Sequence, residues 1–114
     1  PDAFGFGHWL SVTNFFDMHP LMGRRGKLAG DFEKKTGDSS EVVVKEALRF
    51  LKEQLNTNFD ARTFTVIWFG TPHSPWASLE SDREHFSKLS FQAQRHYGEL
   101  VAMDRSIGAL RNGL

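Results

Sequence analysis

Thr63-Phe64-Thr65-Val66-Ile67-Trp68-Phe69-Gly70-Thr71-Pro72-His73-Ser74-Pro75-Trp76 is the stretch on which the fold of this chain turns. Its first half is uncharged and rich in β-branched and aromatic side chains, which predicts a strand buried on both faces. Gly70-Thr71-Pro72 then ends the strand. His73 would stand at the carboxyl end of that core strand, between two prolines that restrict the backbone on either side of the imidazole. In open α/β sheets this edge is where ligands bind, so the pattern points to His73 as a site residue. The competing reading is a histidine that merely caps the strand loop, and the residues alone leave the two balanced.

Upstream of this run, Asp38-Ser39-Ser40-Glu41 predicts a helix start, with Asp38 as cap and Glu41 answering three residues later as a capping box. Val44, Leu48, Leu51 and Leu55 then recur at three- and four-residue spacing, while Lys45, Arg49, Lys52 and Glu53 take the other side. This is an amphipathic helix of about four turns. Asn56-Thr57-Asn58-Phe59-Asp60 closes it with turn-forming residues. Downstream, residues 78–90 are polar and predict a loop with a helical turn. A last helix follows from about Ser90 past Leu110, with Tyr97, Leu100, Val101, Ile107 and Leu114 as its apolar stripe. Gly108 on the same side would admit a neighbouring backbone. The alternation of helix, strand, active loop and helix predicts an α/β fold, a sheet covered by helices, with residues 38–114 as its helix-strand-loop-helix part.

Residues 1–37 read differently. Phe4, Phe6, Trp9, Phe15 and Phe16 alternate irregularly with turn residues, which predicts ordered loop with short strands. Such aromatics either pack over a neighbouring core or form the wall of a substrate pocket. Arg24-Arg25-Gly26-Lys27 adds donors that suit an anionic sugar, or a solvated loop.

The 114 residues carry 14 basic and 14 acidic side chains, so the electrostatic footprint of nucleic-acid binding is missing. No apolar run approaches the roughly 20 residues that span a bilayer. With no cysteine, disulfides and thiolate metal sites are excluded. The chain begins at Pro1 and ends at Leu114 inside a helical pattern, which leads us to expect an internal piece of a longer protein.

Asp104 falls in the middle of the last helix's apolar stripe, where a carboxylate is costly unless paired. It reads either as a metal ligand or as a structural acceptor for backbone amides or an arginine such as Arg62. His8, His19, His85 and His96 show no ligand spacing, so surface or packing roles are expected. His8 and His19 flank the aromatic loop. Thr71 and Ser74 are expected to shape the turn around His73.

Phe69-Gly70-Thr71-Pro72-His73-Ser74-Pro75, followed by Tyr97-Gly98-Glu99-Leu100-Val101-Ala102-Met103-Asp104-Arg105-Ser106-Ile107-Gly108-Ala109-Leu110, resembles the middle of a formylglycine-dependent sulfatase. The resemblance reaches back to Gly5-Phe6-Gly7-His8-Trp9-Leu10-Ser11, although relatives usually carry an aspartate where Gly7 sits. It implies an alkaline-phosphatase-like sheet with one buried core strand and two main helices from this chain. It also implies a sulfuric ester hydrolase in which His73 contacts the sulfate as a catalytic and substrate-binding residue, and it favours the structural reading of Asp104. The formylglycine nucleophile and the calcium ion of the family would be held by residues outside this segment, since Cys/Ser-x-Pro-x-Arg does not occur here. The substrate would be a sulfated sugar or an aryl sulfate, and export to the periplasm or beyond would follow by analogy. The alternatives are a phosphonate or phosphate ester hydrolase of the same superfamily, or a non-catalytic module binding anionic glycan through His73, the aromatic loop and Arg24-Arg25.

Overall fold

The computed structural model describes residues 5–12, 21–22 and 39–114. Asp38, His19, Phe4, Phe15, Phe16 and the Arg24-Arg25-Gly26-Lys27 cluster lie outside the described residues, as does most of the region 1–37. Two residues from each of two short segments, β1 (Ser11–Val12) and β2 (Leu21–Met22), pair antiparallel, with Ser11 opposite Met22 and Val12 opposite Leu21.

Helix α1 spans Ser40–Thr57. Its periodicity is the expected one over most of its length: Val42 and Val44 are buried, Leu48 and Leu51 are half-buried, and Lys45, Arg49, Lys52 and Glu53 are exposed, but Leu55 of the predicted face is exposed too. At 18 residues it runs a turn longer than expected. The predicted capping box rests on Asp38, which lies outside the described residues. Ser39 is the N-cap and makes no side-chain capping bond, which places Glu41 at the second helical position instead of the third. Glu41 instead accepts from Lys45 one turn on, at 2.6 Å. At the other end the predicted turn forms. The Asn58 N–H closes on Gln54, the Asn58 carbonyl accepts from Ala61, and its side chain accepts from the Asp60 N–H.

After the His73 loop come a single turn of helix, α2 (Glu80–Arg83), and a 3-10 turn (Glu84–Phe86). Helix α3 spans Phe91–Gly113, and its N-cap Ser90 accepts from the Ala93 N–H. Both α1 and α2 pack on α3. The face α3 buries is not the one its large side chains mark. Gly98, Glu99, Ala102 and Ser106 are buried, Leu100 and Val101 of the predicted stripe are half-buried, and Tyr97, Ile107 and Leu114 are exposed. Small side chains let neighbouring backbone approach closely, and the buried Ser106 hydroxyl is satisfied by the Ala102 carbonyl one turn back, at 2.8 Å. Asp104 lies off this face and is exposed, so the expectation of a buried carboxylate at that position is corrected.

The predicted α/β fold, an alkaline-phosphatase-like sheet around one buried core strand, is also corrected. The described residues are mainly helical, and their one strand pairing is the β1–β2 ladder. Thr63–Gly70 is irregular chain that belongs to no ladder. Phe64, Val66 and Trp68 are 80%, 58% and 74% exposed, while Ile67 and Phe69 are half-buried. Apolar β-prone composition marks a strand only where neighbouring strands complete its hydrogen bonds and cover both faces. Here the composition is present without them.

Two glycines of α3 test this packing. A Cβ at Gly98 would stand 2.9 Å from Ser78 Cβ and 2.9 Å from Arg83 Cγ, whereas one at Gly108 would meet nothing within 4 Å. Gly108 is therefore not the point of close approach. Replacing a helical glycine by alanine favours the helix by about 1 kcal/mol, and overpacking costs about 1–3 kcal/mol. Gly108→Ala should raise the urea midpoint, and Gly98→Ala should lower it or, at the least, lose the gain.

Candidate functional site

His73 lies on the loop between the apolar run and α2. Its N–H donates to the Gly70 carbonyl at 3.0 Å, which closes a tight turn, and Thr71 is buried beneath it. The imidazole is exposed, and its Nδ1 is 2.6 Å from the Ser74 carbonyl oxygen. A carbonyl can only accept, so Nδ1 carries the proton. In the neutral ring Nε2 is then an acceptor, and in the imidazolium it is an N–H donor. The Ser74 backbone carbonyl and the buried Thr71 are thus parts of the turn.

The loop is braced from both sides. The Trp76 indole N–H donates to the Pro72 carbonyl at 3.0 Å, spanning the histidine turn. The same indole meets the His96 ring of α3 edge-on, with centroids 5.3 Å apart and planes at 62°. The Ala77 N–H donates to the Glu99 carboxylate, also on α3. Glu99 is 2% exposed, so this charge-assisted bond lies away from water. A second buried carboxylate, Asp82, holds α2 to α3 through two bonds from Arg105, at 2.7 and 2.9 Å. The motif Gly98-Glu99 through Arg105-Ser106 is therefore the seat of the loop: Gly98 gives room for Ser78, Glu99 holds Ala77 and Arg105 holds Asp82.

Sequence reasoning missed both buried carboxylates. Their partners are 22 and 23 residues away in the chain, at no helical or strand spacing. A carboxylate one position from a glycine on a helix of small residues was the available signal. His96 was read as a default packing histidine. It does pack, and its Nδ1 is buried without a hydrogen-bond partner among the described residues, as is Ser78 Oγ. His85 is exposed.

The aromatic segment at the start of the chain forms a separate feature. His8 stacks on Phe50 of α1, with centroids 4.9 Å apart and planes at 16°, and its Nε2 is 2.8 Å from Glu46. Arg49 reaches both Glu46 oxygens at 2.5 and 2.9 Å and also binds Glu53. An open groove of about 750 Å³ runs between Gly5–Leu10, α1 and Phe64–Ile67. His73 does not line it, so the two regions singled out by sequence are not brought together in this groove. Among the described residues, no three His, Asp or Glu side chains group as a metal site, and no helix is long and apolar enough to cross a membrane.

Comparison with protein-family models, with curated proteins and with solved structures found no match to this chain.

The Glu46 cluster has a pH signature. Hydrogen bonds from Arg49 hold the Glu46 carboxyl below its ordinary value of 4.5. Burial opposes this, and the Arg49 charge and the His8 bond add to it. A lowered folded-state value means stability that is present above the unfolded value and lost as pH falls through the folded one. The melting-temperature difference between the native chain and Glu46→Gln should therefore be largest near neutral pH and shrink below about pH 4.5. A difference that does not change between pH 7 and pH 3 would show that the cluster contributes nothing to folding.

Proposed function

We propose that this chain is the histidine-bearing part of a sulfuric ester hydrolase, in which His73 meets the sulfate group of a sulfated sugar or aryl sulfate. The observation that carries this reading is an exposed imidazole on a turn braced to a helix, with Nδ1–H committed to the Ser74 carbonyl. That bond fixes which nitrogen would face an anion. Protonated, the ring presents Nε2–H to a sulfate oxygen, and its charge adds to the attraction. When the ester S–O bond breaks, negative charge gathers on the departing oxygen, and a donor already aimed there lowers the barrier. An oxygen nucleophile that lies outside this chain, water in the net reaction, takes the sulfuryl group as that bond breaks, so the products are hydrogen sulfate and an alcohol or phenol whose proton the imidazolium can give, leaving the ring neutral.

The fit to the rest of the chemistry is limited to this one residue. The chain has no Cys/Ser-x-Pro-x-Arg sequence, and its described residues hold no metal cluster. Formylglycine and calcium therefore remain implications of the motif resemblance, and no step by this chain's residues depends on them. An apolar run left without a ladder is a further reason to read the chain as one part of a larger enzyme.

Two measurements test the proposal. The coding sequence around this segment should hold a Cys/Ser-x-Pro-x-Arg motif. In the enzyme so encoded, His73→Ala should lower kcat on an aryl sulfate by about 10²–10⁴-fold, the range for loss of a general acid. Faster turnover of an aryl phosphate than of the sulfate would assign the site to phosphoryl esters. Binding of sulfated glycan without turnover would assign a binding module, and unchanged kcat in His73→Ala would remove His73 from the chemistry.

A further inference from the structure

The bonds from His73 N–H to Gly70 and from Nδ1 to Ser74 fix the imidazole to its own turn. Contacts from α3 tie that turn to the helices, and they fall just after it, at Trp76 and Ala77. The Trp76 indole then returns to Pro72, so the histidine is bracketed between a residue held by Trp76 and one held by Glu99. Glu99 itself is the most deeply buried carboxylate among the described residues, at 2% exposure. Taking a charge out of water costs several kcal/mol unless donors meet it. A helix that needed only packing at this position would be served by an apolar side chain. A carboxylate that accepts from a backbone N–H of the histidine loop does something packing cannot, which is to hold the point at which the chain leaves the turn.

We propose that Glu99 is the positioning residue for His73: its carboxylate, through Ala77 and Trp76, sets the orientation in which the imidazole is presented. Glu99 touches no reacting group in this scheme. Its importance for catalysis rests on the reading that His73 meets sulfate, whereas the coupling between the two residues does not.

The test separates these. Long-range proton–nitrogen NMR of the histidine rings in the 114-residue chain reports the tautomer of His73 directly. Amide hydrogen exchange reports the Ala77 bond. In the native chain His73 should be the Nδ1–H tautomer, with Ala77 protected. Glu99→Ala should average the two ring tautomers and speed Ala77 exchange by about tenfold or more, the loss of a charge-assisted hydrogen bond. Glu99→Gln keeps an acceptor of the same shape and is the safer variant for folding. It should restore the native tautomer while Ala77 exchanges only a few-fold faster, with exchange elsewhere in α3 unchanged. A His73 ring signal identical in the native chain and Glu99→Ala would overturn the proposal. So would loss of the native tautomer in Glu99→Gln with Ala77 still protected. Titration with inorganic sulfate forms the second arm. If the native His73 resonances ignore sulfate, the sulfate reading fails while the tautomer comparison still decides the role of Glu99.

Discussion

A carboxylate taken out of water has to be met by donors, and the structure around His73 is organised by how Glu99 is met. It accepts from a backbone N–H of the neighbouring loop, so meeting the charge also helps to place the loop. The requirement extends outward. For the loop to come that near, α3 must present no side chain beside Glu99, and a Cβ at Gly98 would stand 2.9 Å from Ser78 Cβ. For α2 to follow the loop onto the same helix, Asp82 must also be buried, and Arg105 closes over it with two bonds. A helix that looks poorly amphipathic by its large residues is well suited to this task by its small ones.

The electrostatic character of the loop agrees with the chemistry proposed for it. The buried charges nearest the histidine turn are spent on structure, one on a backbone donor and one on an arginine. Both carboxylates are buried, whereas the His73 ring is exposed. Preorganisation of this kind matters for any reaction in which charge develops late, because a donor that must first be moved into place offers less to the transition state.

Local rules read the helices well. The Asn58 turn, the start of the last helix near Ser90 and the helical turn between Ser78 and Ser90 were all legible, because each depends on residues within a few positions of one another. Three things were not. The strand at Thr63–Phe69 was inferred from composition, yet a strand is a property of pairing, and pairing partners are not written in the run itself. The buried face of α3 was assigned to Tyr97, Leu100, Val101, Ile107 and Leu114 because hydrophobic periodicity weighs large side chains; Leu100 and Val101 are half-buried, but the fully buried positions include the small Gly98, Ala102 and Ser106. Asp104 was given the buried-carboxylate role on that mistaken face, and Asp82 and Glu99 hold it. The turn between prolines at His73 was legible, but its expected place at the carboxyl end of a core strand was not met, since Thr63–Gly70 belongs to no ladder. What secures the turn was not legible, since it comes from a helix more than 20 residues downstream.

The exposed run Thr63–Phe69 has a consequence for handling as well as for fold. It contains no charge and no proline, and it holds the mix of Thr, Val, Ile, Phe and Trp from which cross-β contacts nucleate. Phe64, Val66 and Trp68 already stand in solvent without any unfolding. Arg62 before it is the nearest charge that could act as a gatekeeper, and Gly70 after it offers none. At high protein concentration, this is the surface through which molecules would adhere to one another. The colloidal behaviour of the chain is thus set by the same residues that its sequence marks as most suited to a protein interior.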